Sequence, residues 1–195
     1  MVKIMKNRTL LIATLGVLTA LAIVFKIYSI PLPSTTTASD KISLLYVPVF
    51  ICAFVFRKRG WIYAFTVGFL ADTIGFLINP VGGAYMPQYS IVVGLGGIIS
   101  YLCTFKTEKI KVYHIVIAVL LTQLVCSIFL VSLLNKIYFA QGTPLWVMIS
   151  SRLVKQPITI AIYLVALIVP INIINKFRTR FLKEWDLYGS IKKQQ

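Results

Sequence analysis

Three ionisable residues lie inside long apolar stretches of this sequence, where charge is costly and is usually functional or paired. They are Asp72, Arg152 and Lys155. At 1.5 Å of rise per residue, Asp72 lies about 16 Å along a helix that starts at Trp61. Arg152 and Lys155 lie about 12 and 16 Å along a helix that starts at Pro144. Their spacing of three residues places both cations on one helix face.

Two interpretations of these charges follow. In the first, Asp72 forms a structural ion pair with one cation, which leaves the second buried cation uncompensated at a cost in free energy. In the second, an anionic ligand supplies the missing negative charge. Lys26, near the end of the first apolar stretch, is expected to extend its ammonium to the membrane interface rather than to bind.

The composition indicates a membrane protein. Hydrophobic residues make up 58% of the 195 positions and charged residues 13%, whereas soluble domains have roughly 45–50% and about 25%. A chain of this length cannot enclose so many apolar side chains in one core. We therefore predict an all-α integral membrane protein in which lipid surrounds the apolar helix faces.

Six apolar runs could each form a transmembrane helix, for which about 20 residues are needed. Proline, glycine and basic residues separate them, and no internal repeat is present. The sequence thus predicts one transmembrane domain over residues 1–195, with spans at about 10–30, 43–56, 61–78, 88–105, 112–139 and 144–175.

The positive charges alternate between the two sides of these spans. Lysine and arginine cluster before the first span, between spans two and three, between four and five, and after the sixth, whereas the other loops contain few. The positive-inside rule then predicts that both termini are cytoplasmic, in a multi-pass protein of a bacterial cell membrane. The net charge of +15 is explained by these loops, so no nucleic-acid partner is expected.

Small residues form a stripe along the first span. Ala13, Gly16 and Ala20 recur on one helix face, where a partner helix could approach closely. Gly94-Leu95-Gly96-Gly97 in the fourth span has a similar character. Such residues pack helices within one chain at least as often as between chains, so both interpretations stay open.

Motifs for catalysis are absent from the sequence. It contains no phosphate-binding loop, nucleophile elbow, zinc-binding helix or paired carboxylates. The three cysteines and the single histidine have no metal-ligand spacing. We expect no catalytic residue, no metal and no cofactor.

Two stretches carry a resemblance to a known family. Residues Ala71–Pro87 (ADTIGFLINPVGGAYMP) and Ser151–Pro157 (SRLVKQP) are similar to segments of the substrate-binding S components of energy-coupling factor (ECF) vitamin transporters, in particular the folate-specific FolT family. The family usually continues with Pro-Gly-Phe-Thr, whereas this chain has Pro87-Gln88-Tyr89-Ser90.

The resemblance implies an S-component-like helix bundle that binds folate from outside. It also implies delivery through a complex with a shared transmembrane subunit and two cytoplasmic ATPases. Arg152 and Lys155 suit the glutamyl carboxylates of folate. Asp72 or Asn79 suits its pterin ring, with Tyr85 and Trp146 as aromatic neighbours or as interfacial anchors. The stripe of Ala13, Gly16 and Ala20 would dock the partner subunit.

The residues leave two alternatives open. One is an S component for another vitamin, such as thiamine, riboflavin, pyridoxine or a queuosine precursor. The other is a membrane scaffold protein, which should bind no small molecule.

Overall fold

The computed structural model describes residues 2–31, 41–56, 59–80, 85–107, 109–139, 142 and 144–180. These residues are almost entirely helical, which confirms the predicted all-α class. The main helices are α1 (Val2–Ile27), α2 (Tyr46–Val55), α3 (Gly60–Ile78), α4 (Pro87–Thr104), α5 (Val112–Tyr138) and α6 (Leu145–Ile168). Between α1 and α2, the two-residue strands β1 (Ile30–Pro31) and β2 (Lys41–Ile42) pair in antiparallel fashion.

Four of the described helices are long and apolar enough to cross a membrane: α1, α3, α5 and α6. Many of their large apolar side chains are exposed, for example Ile12 on α1 and Val154 on α6. Such exposure is favourable in a lipid bilayer, because the apolar side chains then contact lipid and are removed from water. The chain is therefore a multi-pass membrane protein.

The second apolar run forms a helix shorter than a full span. With 10 residues, α2 rises about 15 Å, which is half of a hydrocarbon core of about 30 Å. The sixth run also differs from a continuous helix, because Val169 and Pro170 form a turn before residues 171–180 resume helical structure. Proline has no backbone N–H to continue the helical hydrogen bonds.

Helices α3 and α4 pack against each other more extensively than any other pair of described helices, and glycines permit their approach. A Cβ atom on Gly97 of α4 would lie 2.9 Å from the carbonyl of Ala64 on α3. A Cβ atom on Gly68 of α3 would lie 3.2 Å from the carbonyl oxygen of Val93. The small residues around Gly94–Gly97 therefore pack helices within this chain.

Arg178 joins two helix ends at the side of the bundle opposite the α3–α4 connection. Its side chain is fully buried, and its guanidinium donates to the carbonyl oxygens of Phe54 (2.5 Å), Thr104 (2.7 Å) and Thr107 (2.5 Å). Phe54 and Thr104 lie at the C-terminal ends of α2 and α4, where free carbonyls favour a cation. Arg178 is one of the basic residues after the sixth apolar run, which we predicted to be loop charges. Its burial and its hydrogen bonds give it a structural role instead. Five other basic residues that the predicted orientation depends on lie outside the described residues: Arg57, Lys58, Lys183, Lys192 and Lys193.

Candidate functional site

The carboxylate of Asp72 is buried at the junction of three helices. Its side chain belongs to α3, and Asp72 is 5% exposed. Lys26 of α1 places its Nζ 2.7 Å from Asp72 Oδ1, and Ser90 Oγ of α4 donates to Oδ2 at 2.9 Å. The expectation that Lys26 extends to the membrane interface is therefore wrong, because its ammonium compensates the buried charge of Asp72.

Gly75 makes room for this ion pair. It lies three residues after Asp72 on α3, so both residues lie on one helix face. A Cβ atom on Gly75 would lie only 2.5 Å from Cγ of Lys26. The lysine side chain thus reaches Asp72 by crossing α3 where the helix has no side chain.

Hydroxyl groups extend the hydrogen bonds of Asp72 toward the segment before α4. Tyr85 OH lies 2.7 Å from Thr73 Oγ1 and 3.1 Å from Ser90 Oγ. The Tyr85 ring lies 5.4 Å from the ring of Phe76, centroid to centroid. We call Lys26, Asp72, Thr73, Tyr85 and Ser90 the Asp72 network. It brings together two residues predicted for the site, Asp72 and Tyr85.

Two cations predicted for the site belong to α6. Arg152 and Lys155 are both half-buried. Arg152 interacts electrostatically with Tyr89 of α4, and Tyr89 OH donates to Asn135 Oδ1 of α5. Arg152 therefore lies near the start of α4, where Tyr89 also contacts α5.

Two predicted site residues are exposed. Asn79 terminates α3 as its C-cap residue, and Trp146 in the first turn of α6 is 70% exposed. Their roles remain predictions.

A buried pair of amides between α5 and α6 was not predicted from the sequence. Gln156 Nε2 donates to Gln123 Oε1 at 2.6 Å, and Ser127 Oγ donates to the same oxygen at 2.5 Å. Gln123 is the first residue of a π-helical stretch, Gln123–Leu130, within α5. Such stretches are rare and occur frequently at functional sites. The feature of the sequence that could have indicated this amide pair is a glutamine in the middle of an apolar run.

The small residues of α1 face away from the rest of the chain. Ala13, Gly16 and Ala20 are exposed, and a Cβ atom on Gly16 would have no neighbour within 4 Å. This stripe is therefore accessible to another molecule, in contrast to the glycines of α4.

The pairing of Lys26 with Asp72 predicts a measurable effect on stability. Lys26→Met leaves a buried carboxylate uncompensated and should lower the free energy of unfolding by about 1–3 kcal/mol. This is less than the roughly 3–5 kcal/mol typical of a fully buried pair, because the Lys26 side chain is 33% exposed. Thermal unfolding in detergent measures the change, with exposed Lys176→Met as the control. The double variant Lys26→Met with Asp72→Asn should recover part of the loss, and a double variant less stable than either single variant would contradict the pairing.

These features define a class of protein: a small multi-pass membrane protein whose polar and charged side chains converge inside an apolar bundle. The chain belongs to the family described as "ECF transporter, substrate-specific component", whose family model matches residues 10–175. It is thus a substrate-binding subunit of a membrane transporter and not an enzyme. The resemblance predicted from the sequence is confirmed.

A solved structure is similar to this chain over most of its length. It is described as "Crystal structure of FolT bound with folic acid". The TM-score is 0.66 at 26% sequence identity, and the match covers 83% of this chain and 92% of the other. No match was found among proteins with curated descriptions.

Proposed function

We propose that this chain binds folate from the outer side of the membrane and delivers it through an ATP-driven ECF complex. The observation that carries this proposal is the similarity to FolT bound with folic acid, which extends over 83% of this chain. The two cations of α6 support it independently, because folate carries glutamyl carboxylates that arginine and lysine bind by charge-assisted hydrogen bonds.

In this proposal Arg152 and Lys155 bind the carboxylates of folate. Both side chains are half-buried, and Arg152 lies near Tyr89 of α4. The reduced dielectric at a half-buried site strengthens such contacts. Tyr85, Trp146 and Asn79 belong to the same half of the molecule and remain candidates for the aromatic part of the ligand. Asp72 holds Lys26 and Ser90, so its contribution is to position Tyr85 through the Asp72 network.

The proposed partners are a shared transmembrane subunit and two cytoplasmic ATPases, since the sequence has no phosphate-binding loop of its own. The stripe of Ala13, Gly16 and Ala20 is the proposed docking surface. A helix of the partner could approach α1 closely there, because no side chain intervenes at Gly16.

The proposed topology has six membrane-embedded helices with both termini in the cytoplasm of a bacterial cell. The short helix α2 is counted among the six, although it covers only part of the hydrocarbon thickness. The distribution of basic residues supports this orientation.

Cysteine labelling tests the topology. Cysteines introduced at Ser34 or Ala84 should react with an impermeant thiol reagent added to intact cells. Cysteines at Lys58 or Ser190 should react only after the cells are opened. The background should be a variant without Cys52, Cys103 and Cys126. The reverse labelling pattern would contradict the orientation and with it an outward-facing site.

Co-purification tests the ligand. We expect the chain, expressed in cells grown with folate and purified in mild detergent, to release a compound with the ultraviolet absorbance spectrum of folate on denaturation. Release of a different chromophore, such as riboflavin, would contradict folate as the ligand while retaining a vitamin-binding S component.

A further inference from the structure

Residues 171–180 form a helix that two polar side chains fix to the bundle. Arg178 binds the carbonyl oxygens at the ends of α2 and α4. Asn175 lies three residues earlier on the same side of the helix. Its Oδ1 accepts from the backbone N–H of Ile110 at 2.8 Å, and its Nδ2 donates to the Ile110 carbonyl oxygen at 3.0 Å. These contacts determine which face of the helix points inward.

The outward side of this helix has an apolar surface and a cationic surface. Ile173 and Phe177, four residues apart, are 60% and 44% exposed. Lys176 and Arg180 are also four residues apart and exposed. At 3.6 residues per turn, the two pairs lie next to each other on the helix surface. This pattern is typical of a helix at the boundary between hydrocarbon and water, with apolar side chains toward the acyl chains and cations toward the headgroups.

Further cations lie next to this helix, in the connection between α4 and α5. Lys109 directly precedes Ile110, the residue that Asn175 binds, and Lys106 and Lys111 are exposed in the same connection. Residues 104–111 and 171–186 together contain seven lysines and arginines and three carboxylates, so this end of the bundle is net positive. We use the name basic cluster for the exposed cations Lys106, Lys109, Lys111, Lys176 and Arg180.

Exposed apolar and aromatic side chains beside the basic cluster favour a lipid over a soluble anion. Ile173 and Phe177 adjoin its cations on residues 171–180, and Tyr113 at the start of α5 is 53% exposed. Lys111 Nζ lies 6.0 Å from the centroid of the Tyr113 ring. Tyrosine is enriched at the level of the lipid headgroups. A free phosphate ion would complement the cations only, whereas an anionic phospholipid complements both surfaces.

We infer that this end of the bundle binds an anionic phospholipid. Its phosphate pairs with Lys176, Lys109 and the neighbouring cations, and its acyl chains lie against Ile173 and Phe177. Binding to the folded chain alone stabilises it, and here the lipid contacts the helix that Arg178 joins to α2 and α4. The site is separate from the α6 cations and does not depend on the identity of the vitamin.

Lipid titration of the full chain tests this inference. With the chain in an uncharged detergent, short-chain phosphatidylglycerol should bind and raise the melting temperature, and phosphatidylcholine of the same chain length should not. The double variant Lys109→Gln with Lys176→Gln should lower the affinity for phosphatidylglycerol about 30-fold, since each cation near an anionic lipid surface contributes about fivefold. Native mass spectrometry counts the bound lipid.

The matched control is Lys41→Gln with Lys136→Gln, which removes the same charge at the opposite end of the bundle. Lys41 precedes α2, whose other end meets Arg178, and Lys136 lies in the last turn of α5. This variant should retain the wild-type affinity for phosphatidylglycerol. Inorganic phosphate at the same concentration as the lipid should leave the melting temperature unchanged.

Equal binding of the two lipids, or wild-type affinity for phosphatidylglycerol in the Lys109 and Lys176 variant, would overturn the inference. A rise in melting temperature with inorganic phosphate equal to that with phosphatidylglycerol would assign the cluster to a soluble anion instead. If the variant binds phosphatidylglycerol normally but loses folate uptake by cells, the cluster binds an acidic surface of a partner protein, and the lipid assignment is wrong. Folate binding by the purified chain tests the proposed function separately.

Discussion

Arg152→Ala and Lys155→Ala should each lower the folate affinity of the purified chain about 30- to several-thousand-fold. Each change removes a charge-assisted hydrogen bond and leaves a ligand carboxylate without its partner in a half-buried site. Such losses cost about 2–5 kcal/mol, and about 1.4 kcal/mol corresponds to a factor of ten in affinity. Isothermal titration with folate measures the effect.

The controls for these variants are two cations on a different segment from the candidate site. Arg180 and Lys176 are exposed on residues 171–180, so Arg180→Ala and Lys176→Ala should retain the wild-type affinity. The melting temperature of the ligand-free protein should change little in the α6 variants, because the ion pair of Asp72 is with Lys26. Unchanged folate affinity in both α6 variants would contradict the site assignment.

Gly16→Leu should abolish folate uptake by cells and leave folate binding by the isolated chain unchanged. The surroundings of Gly16 are open, with no atom within 4 Å of the place that a Cβ would occupy, so leucine can be accommodated in the free subunit. In the complex, the branched side chain would hold the partner helix away and remove its packing contacts. Uptake of labelled folate and binding to the purified chain are measured in parallel.

Gly97→Leu is the comparison variant for Gly16→Leu, at a glycine that packs between helices of this chain. Even a Cβ atom would lie 2.9 Å from the Ala64 carbonyl there, and overpacking of a close helix contact is destabilising. This variant should lose binding and uptake together and unfold at a lower temperature. Loss of folate binding in Gly16→Leu would show that the α1 stripe packs within this chain, and the docking assignment would be wrong.

Much of the fold could be predicted from the sequence because apolar run length determines what can cross a membrane. The runs that contain α1, α3, α5 and α6 are long enough to be recognised by hydrophobicity alone. The basic residues Arg57–Arg59 mark the end of the α2 run in the sequence. The start of the helix at Tyr46 could not be inferred, because the residues just before it, Leu44 and Leu45, are also apolar. The π-helical stretch at Gln123 depends on side-chain packing and leaves no periodic signal.

The charged residues of the candidate site were recognisable in the sequence, and their part in binding stays a prediction. Asp72, Arg152 and Lys155 were identified because charge inside an apolar run is rare. The partner of Asp72 was missed because pairing depends on which helices are neighbours, and Lys26 is 46 residues away in sequence. The role of Gly75 in admitting Lys26 is likewise visible only when α1 is packed on α3. The buried amide pair of α5 and α6 was overlooked because neutral amides carry less signal than charges.

Direct titration of the purified wild-type chain with folate tests the central claim most directly. Thiamine, riboflavin and pyridoxine should be titrated under identical conditions. We expect saturable binding of folate at one site per chain and no binding of the other three vitamins. Absence of folate binding by a folded chain, with binding of one of the others, would contradict the proposed function.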